Sequence, residues 1–163
     1  MTSSFTTYQN VSQHEFVEVK KNTATQQHGL FALRAYEKGD IIVAFDASII
    51  VDTPNYLTVQ ISDTKHIHLS PEYLQYVNHG CAPNVIFNTS KMVLECIDDI
   101  SIGQELCFFY PATEWKIAQT FQCHCGSSNC IGLIQGAAET SLDILKQYTL
   151  TDFIKNKLVQ REF

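Results

Sequence analysis

Nowhere in the sequence do eighteen apolar residues stand together, and the opening MTSSFTTYQNVSQHEF has no basic segment followed by an apolar one. The first absence excludes an ordinary hydrophobic spanning helix, and the second gives no reason to expect a secretory leader. Lys/Arg runs are missing too. With 11 basic residues against 17 acidic ones the net charge is -6, so the chain lacks the electrostatic footprint of a protein that grips a phosphate backbone. A basic peptide suits such a surface better. There is no internal repeat, no low-complexity tract and no obvious His/Asp or Cys/His dyad. What remains is a chain of 163 residues, enough for one compact domain with small appendages. It is expected to be intracellular, cytoplasmic or nuclear, with no membrane association and no direct nucleic-acid binding.

Short apolar runs dominate the chain from Glu15 onward: FVEV, GLFAL, IIVAF, SIIVD, YLTVQI, HIHL, NVIF, MVLECI and ELCFFY. Their lengths and their β-branched and aromatic content predict short strands. Turn residues separate them at Lys38-Gly39-Asp40, Asp52-Thr53-Pro54-Asn55, Asn88-Thr89-Ser90-Lys91 and Ser101-Ile102-Gly103-Gln104. The fold class is therefore mainly β, built from hairpins. Residues 1–14 are polar and are expected to fray. Helical signals are few: Thr113 can cap EWKIAQ, and Thr140 with Asp143 resembles a capping box before ILKQY. From Thr151 to Gln160, the spacing of Phe153, Ile154 and Leu158 predicts a second C-terminal helix packed on the body.

Six cysteines without a secretory leader read as ligands or core residues rather than as disulfides. Three of them fall in CHCGSSNC, where Cys123, Cys125 and Cys130 can be aimed at one point by a tight loop that Gly126 permits. Zinc held by four thiolates is a structural staple with no open coordination position. The fourth ligand has to come from Cys81, Cys96 or Cys107, unless His124 serves. Cys96 and Cys107 sit in predicted strands among apolar neighbours, as small buried thiols do. Cys81 sits instead in Asn78-His79-Gly80-Cys81-Ala82-Pro83-Asn84, a polar loop of the kind that offers ligands.

Gly29-Leu30-Phe31-Ala32, then NHGCAPN at 78–84, then Gly103-Gln104-Glu105-Leu106-Cys107-Phe108-Phe109-Tyr110, then CHCGSSNC, resemble in order and spacing the SET-domain lysine methyltransferases with a post-SET zinc segment. The resemblance covers about residues 17–133. It implies a β-clip-like fold of small, mostly antiparallel sheets with a C-terminal pseudoknot, in which the segment carrying the final Tyr threads through a loop beside NHGC. The domains expected are a flexible N-terminus at 1–14, the SET domain at 15–120, a post-SET zinc segment at 121–133 and a helical tail at 134–163. In the family the Cys of the NHxC motif completes the zinc site, which here implies Cys81 with Cys123, Cys125 and Cys130.

The resemblance also implies S-adenosylmethionine at Gln27, His28 and Gly29 and at Asn78 and His79, with Phe121 and Gln122 covering the adenine. Glycine lets backbone approach a ligand, and Asn offers donor and acceptor together. The chain departs from the family pattern at Gln27, where Gly is usual, at Gly80, where Ser is usual, at Gln75, often Arg, and at Phe109, often Asp. Tyr110 is implied as the catalytic residue and Tyr56 as a wall of the lysine channel. An apolar channel favours the neutral amine by desolvation, and Tyr110 orients it. Phe108, two residues before Tyr110, implies addition of two or three methyl groups, because a Tyr hydroxyl there would hold a water in the space a methyl needs. The implied partner is a protein with an exposed lysine, such as a basic histone-like tail. Two other readings compete: a catalytically inactive zinc-stabilised binding module, which a cofactor-binding measurement would separate, and a transferase for a small-molecule or non-lysine substrate.

Overall fold

The apolar runs become strands that alternate between buried and half-buried positions, as in Val17–Asn22 and Val93–Cys96. The computed structural model describes residues 7–161. In chain order the strands are β1 (Tyr8–Gln13), β2 (Val17–Asn22), β3 (His28–Ala32), β4 (Ile41–Ala44), β5 (Asp46–Val51), β6 (Thr58–Gln60), β7 (His66–Ser70), β8 (Asn78–His79), β9 (Val85–Asn88), β10 (Val93–Cys96), β11 (Glu105–Phe108), β12 (Phe121–Gln122) and β13 (Leu133–Ile134). Two helices follow, α1 (Leu142–Leu145) and α2 (Asp152–Arg161). Each run singled out in the sequence supplies one of the strands β2 to β11 other than the two-residue β8.

The strands form small sheets: β1-β2-β3-β11-β8, β4-β10-β9, β5-β7-β6 and the pair β12-β13. Pairing is antiparallel except between β11 and β8, where Cys107 lies opposite Asn78 and Phe108 opposite His79. That pair brings the segment ending in Tyr110 alongside the NHGC loop, as the threaded family topology requires. Val17, Val19, Leu30, Leu69, Leu94 and Leu106 lead the main core. A second core joins Ile86 and Phe109 to Leu145 and Ile154, so both helices pack on the body. No helix among the described residues is long and apolar enough to cross a membrane.

Three expectations need correction. Residues 8–13 do not fray: β1 pairs with β2 from Tyr8↔Asn22 to Gln13↔Glu18. Its residues are mostly exposed, so the strand carries no apolar alternation to announce it; residues 1–6 of the expected flexible segment lie outside the described residues. EWKIAQ is not helical. Its carbonyls are taken by another segment, with Ala137 N–H donating to Glu114 O and Ala138 N–H to Trp115 O, both at 2.9 Å. Thr113 closes the 3-10 turn Tyr110–Ala112 and caps nothing beyond it. The cap of α1 is Ser141, whose Oγ accepts the Ile144 N–H at 3.4 Å, while the Thr140 hydroxyl donates to Gly136 O at 2.9 Å.

Candidate active site and thiol cluster

A cavity of about 700 Å³ opens where the β5-β7-β6 sheet, the end of β11 and the β12 segment meet. Tyr110 leaves β11 into it, and its backbone N–H donates to His79 Nδ1 at 3.1 Å. Burial keeps His79 neutral, lowering it to about 4. With Nδ1 accepting, the proton sits on Nε2, which faces Cys81 Sγ at 3.4 Å. One imidazole thus joins the Tyr110 backbone to a thiol of the cysteine cluster. The Tyr110 hydroxyl is pushed up to about 12, first by burial and then by the charge of Glu114, so it is a neutral donor and acceptor at physiological pH.

Aromatic rings surround this point. The Tyr110 ring lies 4.7 Å from Phe108, 5.1 Å from His79 and 5.8 Å from Phe121. Phe108 is buried and packs edge-on against Phe87 at 4.9 Å. Both phenylalanines line the cavity together with Leu57, Val59 and Leu69, an apolar wall that disfavours a charged amine. Tyr56 borders the same cavity but is 86% exposed, so it stands at the mouth and not in the wall.

The residues implied for the cofactor divide. Gln27, Asn78, His79, Phe121 and Gln122 line the large cavity. His28 and Gly29 instead border a hollow of about 60 Å³ next to it. The His28 ring stacks on Tyr76 at 5.0 Å, and its carbonyl accepts the Asn78 side-chain amide at 2.7 Å. A Cβ on Gly29 would meet Glu105 Oε1 at 2.6 Å, so that glycine leaves room for Glu105, whose carboxylate accepts a second Asn78 bond at 3.0 Å. Gly80 has a similar reason: a Cβ there would stand 2.7 Å from Cys107 Sγ. The family's usual Ser would overlap the Cys107 side chain unless that side chain shifted.

Four thiols converge behind His79. Cys81, Cys123, Cys125 and Cys130 place their sulfurs within 4.8 Å of one another, and Cys81 Sγ lies 3.9 Å from Cys123 Sγ. Thiolates each ~2.3 Å from a common zinc would be about 3.8 Å apart, so the donor set and spacing fit a tetrahedral metal centre. Cys96 is buried in the main core, its thiol donating to Asp98 O, and Cys107 packs on Gly80; neither joins the cluster. The Cys81 carbonyl accepts from the Asn129 side chain and from the Tyr148 hydroxyl, each at 2.8 Å. Tyr148 in turn stacks flat on Phe109, centroids 3.6 Å apart and planes 4° apart.

The SET domain family model matches residues 27–111, more than half the chain and the stretch that contains both the NHGC loop and Tyr110. The chain belongs to the SET-domain family. This SET domain is 32% identical over 164 residues to the methyltransferase flvH of Aspergillus flavus, an alignment covering 99% of the chain and 92% of that protein. It is 27% identical over 128 residues to the H3 lysine-4 specific histone-lysine N-methyltransferase of Schizosaccharomyces pombe, over 65% of the chain and 14% of that enzyme. To the H3 lysine-36 specific enzyme of the same yeast it is 33% identical over 72 residues, 40% of the chain and 9% of that enzyme. It is thus a member of a methyltransferase family.

Sequence reasoning missed Glu114 and Tyr148. Glu114 falls in EWKIAQ, expected as a helix capped by Thr113, yet it is buried in a non-helical segment and lines the cavity. The available signal was a lone carboxylate four residues after Tyr110 among Pro111, Ala112, Trp115 and Ile117. Tyr148 carries no local signal, because its partners Phe109 and Cys81 are remote in sequence.

Proposed function

We propose that this SET domain is an S-adenosylmethionine-dependent N-methyltransferase that acts on the side-chain amine of lysine in a protein, adding two or three methyl groups. The observation that carries the proposal is the junction of β11 with β8, which sets Tyr110 on His79 at the apolar end of the large cavity. When bound, the cofactor supplies an electrophilic methyl group. Gln27, Asn78 and His79 would hold it from the β8 side and Phe121 and Gln122 from the post-SET side, with His28 and Gly29 supporting through backbone.

The protein's own contribution is positioning and dehydration. Leu57, Val59, Leu69 and Phe87 strip water from the entering amine and so favour its uncharged form. The neutral Tyr110 hydroxyl would orient the nitrogen toward the methyl group that the bound cofactor would supply, and could accept a weak C–H···O contact from it. Phe108 offers no hydroxyl to retain a water beside the nitrogen, which leaves room for successive methyls. Cys81, Cys123, Cys125 and Cys130 would hold a zinc ion, which would tie the 121–133 segment to the NHGC loop beside the cavity. In this reading residues 15–120 are the catalytic body, 134–163 a bracing tail, the partner a basic protein segment, and the place of action the cytoplasm or nucleus.

A second reading, methylation of a small-molecule amine, is favoured by one finding. The relative aligned nearly end to end, flvH, is named only as a methyltransferase, whereas the histone enzymes match over 14% and 9% of their lengths. One experiment tests both: incubation with methyl-labelled cofactor and a cell extract, followed by separation into protein and small-molecule fractions and identification of the labelled species. Label on protein lysine supports the first reading, and label on a free amine supports the second. Label in neither fraction, with folded zinc-loaded protein, overturns both.

A further inference from the structure

Glu114 follows the 3-10 turn that begins at Tyr110, and only 6% of it is exposed. Glu114 is among the residues that line the large cavity, with Tyr110 and Phe108, and its Oε2 is itself sealed from solvent. Oε1 accepts the Gln60 backbone N–H at 3.2 Å. Oε2 has no hydrogen-bond partner. Among the described residues two other buried polar side-chain atoms lack a partner, Tyr36 Oη and His66 Nδ1, and neither residue lines this cavity.

Among the described residues no cation pairs with this carboxylate. The ion pairs among the described residues join Lys20 to Glu18, Lys155 to Asp152 and Lys157 to Asp63. Lys157 approaches the neighbouring Trp115, but its ammonium lies over the indole ring, 5.1 Å from the centroid. The groups that do face Glu114 are neutral: the Gln60 amide, the Thr113 hydroxyl and the Tyr110 phenol. A buried carboxylate with half its hydrogen bonds unmade is costly, and burial pushes Glu114 up to about 8. Anchoring the local chain does not require it. That is done by the Trp115 N–H on Gln60 Oε1 at 2.8 Å and by the Ala137 and Ala138 amides on the carbonyls of residues 114 and 115.

A buried acid beside a cavity, unpaired with any cation among the described residues, is complementary to a cation that arrives with a ligand. We propose that Glu114 is the substrate-recognition residue of this cavity: Oε2 receives the ammonium of an aliphatic amine and accepts one of its protons. At neutral pH the carboxyl gives its own proton to solvent as the ammonium arrives, and the step then balances as R–NH₃⁺ plus carboxylate giving R–NH₂ plus carboxylic acid. The nitrogen keeps the electron pair of the broken N–H bond, and the proton rests on Oε2 until the carboxyl turns toward the cavity and exchanges it with solvent. This rests on the reading of the cavity as an amine methylation site, and it adds the group that admits the amine as a cation and renders it neutral.

The test is made on the full zinc-loaded chain without cofactor, so that it does not depend on turnover. Titration calorimetry measures n-butylamine against the natural protein and Glu114→Gln, with n-butanol as the uncharged probe of the same length. The expected result is saturable amine binding by the natural protein that weakens about tenfold or more in Glu114→Gln, with n-butanol affinity unchanged. Heats recorded in buffers of different ionisation enthalpy should also show about one proton released per amine bound at neutral pH by the natural protein, since the carboxyl and the ammonium together hold one proton more than the complex. Nα-acetyl-lysine N-methylamide and 1,4-diaminobutane, run in parallel, separate a lysyl side chain from a free diamine as the source of the amine, and both should depend on Glu114. Equal amine affinity in the two proteins, an equal loss for amine and alcohol, or no amine binding by the natural protein would overturn the proposal. Methyl transfer to some other acceptor with Glu114-independent amine binding would sink it while leaving the methyltransferase reading intact.

Discussion

Replacing Glu114 by Gln should stabilise the ligand-free protein, and by an amount that grows with pH. In the unfolded chain this carboxyl ionises near its ordinary value of 4.5, whereas in the folded protein burial holds it protonated up to about 8. Below pH 4.5 both states keep the proton and the group costs nothing. Between about 4.5 and 8 the unfolded chain releases a proton that the folded chain retains, so each pH unit lowers the folding equilibrium roughly tenfold. Above 8 both states are ionised and the loss levels off. Across the whole window it amounts to on the order of 5 kcal/mol, reduced by whatever water the open cavity admits. Gln carries no such titration. Urea unfolding of both proteins at pH 5, 7 and 9, followed by circular dichroism, gives a difference in which the other titrating groups, cysteines included, cancel. The variant's advantage should widen from pH 5 to pH 7 and flatten by pH 9. A difference independent of pH would mean that Glu114 ionises normally in the fold, and the argument from its burial would fail.

Cys81→Ser should lower the metal content of the purified protein to well below one zinc per chain, while Cys96→Ser should leave it unchanged; full zinc in the Cys81 variant by elemental analysis would remove Cys81 from the cluster. Tyr110→Phe should reduce single-turnover methyl transfer by about a hundredfold or more with cofactor affinity nearly intact, since the hydroxyl acts at the reacting centre; an unchanged rate would show that it has no catalytic part. Phe108→Tyr should shift a multiply methylated product toward the monomethyl form in mass spectra, and a natural enzyme that stops at one methyl under excess cofactor would refute the role given to Phe108. Gly80→Ser should cost about 1–3 kcal/mol through overlap with Cys107 Sγ, and adding Cys107→Ala should restore most of it; simple additivity in the double variant would exclude that contact as the cause.

Strands could be read where one face is buried, because alternation in FVEV or MVLECI is imposed by the core beneath it. β1 escaped because YQNVSQ is exposed along nearly its whole length and is held by backbone pairing, with one ring contact from Tyr8 to Phe31. The segment after Tyr110 misled in the opposite direction. Thr113 followed by EWKIAQ has the composition of a capped helix, but residues 137 and 138, far along the chain, take the carbonyls that a helix would use. The gathering of Cys81 with the later cysteines was legible only through motif order, since spacing alone left Cys96, Cys107 and His124 open. Glu114 was legible in type but not in place: a side chain's partners can be absent only once the fold has fixed its neighbours.

Phe109, Tyr148 and the Cys81 carbonyl form a continuous stack and hydrogen bond, and this bears on which parts of the protein can be exchanged with relatives. Where a relative carries an acid at the position of Phe109, a grafted 134–163 segment would set Tyr148 against a carboxylate instead of an aromatic face, and the phenol would be drawn away from the cysteine loop. Conversely, Phe109 moved into a body without this tail would leave a large ring uncovered. Positions 109 and 148 therefore act as a unit, and a chimera built at a boundary between them must carry both or neither.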